Sequence, residues 1–91
     1  MSAELLVGRV LEVHDHPGAR GPSFLVRLDL GVRGEREAQM EPGSYRRDEL
    51  LGKLVVVSLA DAAIVVAARS HANGPILVQP TQDVEPGTVV A

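Results

Sequence analysis

The sequence predicts an all-β fold: a small five-stranded barrel with one short helix between the third and fourth strands and a C-terminal extension. Three observations lead there. Short runs of alternating or continuous apolar residues recur along the chain, turns rich in Pro and Gly separate them, and only the stretch around Arg46 to Leu51 reads as helical turns.

The first strand is expected over Leu5 to His14. Strict alternation there puts Leu6, Gly8, Val10, Glu12 and His14 on one face, and Leu5, Val7, Arg9, Leu11 and Val13 on the other, apolar with a single Arg. Gly8 in mid-strand marks a bulge or a close backbone approach. Asp15 to Pro22 holds two prolines and two glycines and makes a turn longer than a two-residue hairpin. Ser23 to Gly31 has the cleanest alternation, with Phe24, Val26, Leu28 and Leu30 inward and Leu25, Arg27 and Asp29 outward. Val32 to Glu35 reverses the chain into a polar third strand over Arg36 to Met40, which Pro42-Gly43 ends. Ser44 is the expected N-cap of a two-turn helix over Arg46 to Leu51 that sets Leu50 and Leu51 against the barrel before Gly52. Lys53 to Leu59 and Ala63 to Ala68 are near-continuous apolar runs, the pattern of strands buried on both faces. Asn73-Gly74-Pro75 turns the chain into Ile76 to Gln79, the expected last barrel strand. Pro80 to Pro86 then leads to the apolar tail Thr88-Val89-Val90.

With 91 residues the chain is expected to form a single domain, residues 1–91. A domain of this size buries only about 60–65% of its unfolded surface, so a partner subunit would stabilise it. Hydrophobic residues make up 45% of the chain, yet there is one Phe, one Tyr and no Trp, so the core is aliphatic and base-stacking platforms are scarce. Nine basic residues against twelve acidic ones give a charge of −3, which disfavours strong sequence-independent binding of polyanions. No cysteine is present, so neither disulfides nor thiolate chemistry enter. No signal-like N-terminus and no apolar run of spanning length appear, and the expectation is a soluble, cytoplasmic protein without membrane contact.

The opening Gly8-Arg9-Val10-Leu11-Glu12-Val13, the turn His16 to Pro22 and the run Phe24 to Gly31 together resemble the start of the tRNA-binding-domain family of OB-folds, especially its small dimeric CsaA-like members. Ala38-Gln39-Met40 resembles that family's third-strand segment. Tyr45 with Asp48-Glu49-Leu50-Leu51-Gly52-Lys53 resembles its helix and fourth-strand entry, and Val78-Gln79-Pro80, Asp83 and Val84-Glu85-Pro86-Gly87-Thr88 resemble its close. The resemblance runs through nearly the whole chain. It implies an OB-fold that binds tRNA or other structured RNA, commonly as a homodimer, with an export-related chaperone role for unfolded or exported polypeptides as the alternative. Two departures stand out. Arg36 and Glu37 occupy positions where CsaA-like members usually carry a Ser-Ser pair, and Ala60-Asp61-Ala62 replaces the family's longer basic loop between the fourth and fifth strands. A barrel that kept the fold but lost RNA affinity with that loop is therefore a third reading.

Candidate RNA contacts are Arg20, Arg27, Arg36, Gln39, Arg46, Arg47 and Lys53. Arg20 and Arg27 fall where the first loop and the faces of strands two and three make the OB-fold cleft, although Arg27 also suits a cross-strand pair with Glu37 or Glu12. Arg46 and Arg47 open the helix, an unfavourable place for cations unless a phosphate, or Asp48 and Glu49, compensates. His14 and His16 share a strand face, but His71 lies in a distant turn and no further ligand is evident, so neither a metal nor another cofactor is expected. No nucleophile elbow or phosphate loop is present, and the expectation is a binding protein rather than an enzyme. Val55 to Val57, Ile64 to Val66 and the Val89-Val90 tail suit either core or a dimer interface.

Overall fold

The structure is a computed structural model, and residues 3–91 are described. Strands β1 (Glu4–Asp15), β2 (Phe24–Asp29), β3 (Glu35–Met40), β4 (Leu54–Leu59) and β5 (Ala63–Val65) form one antiparallel sheet in the order β3-β2-β1-β4-β5. Helix α1 (Arg47–Leu50) joins β3 to β4. A separate hairpin, β6 (Ala67–Ser70) with β7 (Gly74–Leu77), follows β5. The sheet curls until its two ends, β3 and β5, lie side by side without a hydrogen-bonded ladder between them. Its interior holds the aliphatic core the composition demands: Leu6, Val26, Leu28, Leu30, Leu50, Val55 and Val57 are fully buried.

The alternation of β2 behaves as expected, with Phe24, Val26, Leu28 and Leu30 all buried. β1 does not keep the single alternation. A register shift between Val10 and Glu12, where β1 pairs with β2, passes Leu11 as an extra residue, so the inward set is Leu6, Gly8 and Val10 followed by Val13. Leu5 and Leu11 are exposed instead of sharing a buried face with Val13. Gly8 marks the close approach rather than the bulge: a Cβ there would sit 3.0 Å from the Leu30 side chain and 3.1 Å from that of Val57.

The helix is shorter than expected. Pro42 to Tyr45 forms its own turn, with the Tyr45 N–H donating to the Pro42 carbonyl at 2.9 Å, so Ser44 is not the N-cap. Arg46 is, its N–H donating to Glu49 Oε1 at 2.7 Å. One turn presents one residue inward, so Leu50 is buried while Leu51 stays exposed. The Ala63 to Ala68 run is broken into β5 and β6 at Val66, and only Ala63 in it is buried, whereas β4 buries Val55, Val56 and Val57 on both faces as expected. The last strand, β7, belongs to the hairpin and not to the barrel sheet.

The C-terminal segment straps the barrel. Gly87 donates to the Val7 carbonyl at 2.7 Å, Val7 to Thr88 at 2.8 Å and Val90 to Leu5 at 2.8 Å, which occupies the edge of β1 that β2 leaves free. The strap crosses the chain at Gly31, where Gly31 (φ 63°) and Gly87 (φ 89°) bring two backbones into contact. A Cβ on either would collide with a carbonyl, that of Pro86 or that of Leu30.

Candidate binding surface

The outer side of the sheet divides into two faces. On β1 to β3, downstream of the bulge, the register sets Glu12 and Glu37 on either side of Arg27, Leu25 opposite Gln39, and Asp29 opposite Glu35. Three carboxylates, Glu12, Glu35 and Glu37, thus surround Arg27, while Asp29 stands opposite Arg9 on β1 and accepts from the Gly31 N–H at 2.9 Å. Arg27 Nε donates to Glu35 Oε1 at 2.7 Å, not to Glu37 or Glu12 as the spacing suggested. That hydrogen bond, followed by the charge of Glu35 and more weakly of Glu12 and Glu37, raises the Arg27 pKa above its ordinary value and holds its charge in place. His14 Nε2 pairs with Glu12 Oε1 at 2.9 Å.

The other face lies on the upstream half of β1, on β4 and β5, and on the strap. One row runs Val90, Leu5, Ser58, Ile64; the next runs Thr88, Val7, Val56, Val66, and Val78 accepts a hydrogen bond from Val56 beside it. None of these residues is charged. Val7 and Val56 are buried beneath their neighbours, whereas Leu5, Ile64, Val78 and Val90 are 37–59% exposed.

The structure scatters the basic candidates. Arg20 is exposed in the loop between β1 and β2. Arg36 takes an inward register position at the barrel end, where its Nη2 donates to the Asp61 carbonyl at 2.7 Å. It thereby clamps the short β4–β5 turn to β3 rather than facing solvent beside Arg27. Arg46 lies 3.4 Å from Asp48 and 3.8 Å from Glu49, and Arg47 lies 3.8 Å from Asp15. Lys53 is half-buried next to the helix end, and Gln39 is exposed on the outer side of β3. Arg27 and Gln39 share the outer side of β2 and β3, and Arg46 and Arg47 are adjacent at the start of the helix.

Three arginines outside that set are also paired with acids. Arg9 reaches Asp83 at 3.7 Å and the Gly52 carbonyl at 2.8 Å, and Arg33 pairs with Glu4. Arg69 forms two hydrogen bonds with Glu41, at 3.1 and 3.3 Å, and so does not join Arg46 and Arg47. The pairing lowers the Glu41 pKa and raises that of Arg69. Among the described residues, Arg20, Arg36 and Lys53 are the cations without a carboxylate in ion-pair range. His16 stays in the first loop, its N–H donating to Ser23 and its carbonyl accepting from Ala19. The two-face division was not read from the sequence. Its signal is the bulge in β1, which only pairing with two neighbours reveals.

The strand order, the helix between β3 and β4 and the barrel curl define an OB-fold with a C-terminal strap. Solved structures share that architecture. A CsaA chaperone protein from Picrophilus torridus superposes with a TM-score of 0.88 at 24% identity, over 98% of this chain and 92% of that one. A CsaA chaperone from Bacillus anthracis str. Ames gives 0.84 at 20% identity, over 98% and 91%. A MetRS-related protein from Pyrococcus horikoshii gives 0.79 at 16%, over 98% and 90%. The likeness is one of fold, and at that level the CsaA-like resemblance read from the motifs is borne out. No protein-family model and no curated protein matches the chain.

Proposed function

We propose that this protein is a non-enzymatic binding module of the CsaA type whose partner is a polypeptide in extended or unfolded form. The observation behind this reading is the charge of the outer β1–β3 face, where an OB-fold ordinarily meets its ligand: three carboxylates, Glu12, Glu35 and Glu37, stand around an arginine already bonded to Glu35. A phosphate backbone approaching that face meets like charge, and a net charge of −3 provides no long-range attraction to offset it. The chaperone name of two fold neighbours supports the same reading. The uncharged face around Leu5, Val78 and Val90 is the surface by which two copies would form a homodimer, because an apolar strip of this kind is ordinarily covered. We place the protein in the cytoplasm, since a chain without cysteine needs no oxidising compartment.

RNA binding is the second reading, supported by Arg20 and Lys53, which lack carboxylate partners among the described residues, and by the MetRS-related fold neighbour. Fluorescence anisotropy on protein of known oligomeric state separates the two. The expected result is binding of an unfolded client that weakens only modestly with added salt, together with weak tRNA binding at physiological salt. Tight tRNA binding with a steep salt slope, and no client binding, would overturn the polypeptide reading in favour of RNA.

A further inference from the structure

Between the outer side of β2 and β3 and the turn into β5 runs an open groove of about 370 Å³, lined by Leu25, Ala62, Ala63 and Ile64 together with Glu37 and Gln39. We infer that this groove takes an extended polypeptide segment in which a Lys or Arg side chain is flanked by aliphatic ones. The inference rests on the polypeptide-binding reading and gives the client its chemistry.

Charge complementarity selects that occupant. Glu37 lines the groove, and among the described residues no cationic side chain lies in ion-pair range of it. Its register partner Arg27 is engaged by Glu35 at 2.7 Å. Asp61, next to Ala62, is exposed and its carboxylate has no ion-pair partner among the described residues, Arg36 being bonded to its carbonyl. Glu12 flanks Arg27 from β1, so with Glu35 and Glu37 the carboxylates around that one cation outnumber it. An ammonium or guanidinium entering the groove therefore finds a free carboxylate, whereas an acidic segment is repelled by several.

The floor supplies the other half of the recognition. Ile64 is 59% exposed, Leu25 is half-buried, and Ala62 is exposed, so aliphatic side chains beside the basic residue would cover surface now in water. Gln39 offers an amide that can both donate to and accept from a peptide main chain. Ile64 also ends the uncharged row that begins at Val90, which makes the groove continuous with the apolar face.

Anisotropy with two labelled ten-residue peptides tests the inference. They share one aliphatic sequence and differ in carrying either two Lys or two Glu. The wild-type protein is expected to prefer the Lys peptide by roughly fivefold. Glu37→Gln is expected to shrink that preference and Glu37→Lys to reverse it, whereas Glu85→Lys, with the same change in net charge on the C-terminal segment, leaves it nearly intact. Circular dichroism checks that each variant is folded, which the exposure of Glu37 and Glu85 favours. Equal affinity for both peptides, or a preference that Glu37→Lys and Glu85→Lys shift alike, overturns the groove while client binding still upholds the broader reading. Failure to bind either peptide or any unfolded client overturns both.

Discussion

The two outer faces of this barrel are built from the same strand, and they differ in almost everything else. Upstream of the bulge, β1 contributes Leu5 and Val7 to rows that hold no charged residue, with Arg9 at their end; downstream, it contributes Glu12 and His14 to a face with three carboxylates around one arginine. The bulge separates them by rotating the strand's outward set, and the strap fills the upstream edge that β2 does not reach. A small barrel thus obtains two surfaces of opposite character, one uncharged and one acidic.

The strap is where that division is most easily broken. Gly31→Ala or Gly87→Ala places a Cβ against a carbonyl at a positive φ, and either is expected to cost about 2–4 kcal/mol and to uncover Val7, seen as a lower thermal midpoint and increased binding of a hydrophobic dye. Leu50→Ala removes the single side chain by which the helix grips the barrel, and a loss of about 2–4 kcal/mol is expected in chemical denaturation. On the uncharged face, Val78→Glu is expected to weaken self-association by more than about tenfold in light scattering while the monomer stays folded, since each copy would meet a buried like charge at the contact.

The acidic face can be sharpened in the opposite sense. Replacing Glu12, Glu35 and Glu37 together by Gln leaves Arg27 uncompensated there, and tRNA affinity at low salt is expected to rise, with the salt slope steeper by about one. Unchanged affinity would mean that this face does not govern RNA exclusion. The smallest effect belongs to Glu41 and Arg69. Because the Glu41 pKa is lowered in the folded state, the pair contributes stability above the ordinary carboxylate pKa and loses it as pH falls through the lowered value. Both side chains are more than half exposed, so Glu41→Gln is expected to change the neutral-pH midpoint little and to flatten only the acid limb of a pH series of melts.

The barrel was legible where one face of a strand is buried along its whole length, as in β2, or both faces are, as in β4. It was illegible where a partner decides the register. Alternation in β1 is correct on each side of Leu11 and wrong across it, because a bulge leaves no mark in the order of apolar residues. The binding candidates suffered similarly: Arg36 reads as a surface cation, yet the shortened β4–β5 turn brings the Asp61 carbonyl to its guanidinium.

By itself the sequence determined an aliphatic core, a net negative charge and the turns that cut the chain into short strands, because each depends on composition or on residues adjacent in the chain. The tertiary structure decided which charges meet. Arg27 bonds Glu35, Arg69 bonds Glu41, Arg47 approaches Asp15, and Glu37 is left free beside an apolar groove. Electrostatic partners are chosen by distances of a few ångströms between segments far apart in sequence, and those distances exist only once the sheet has curled.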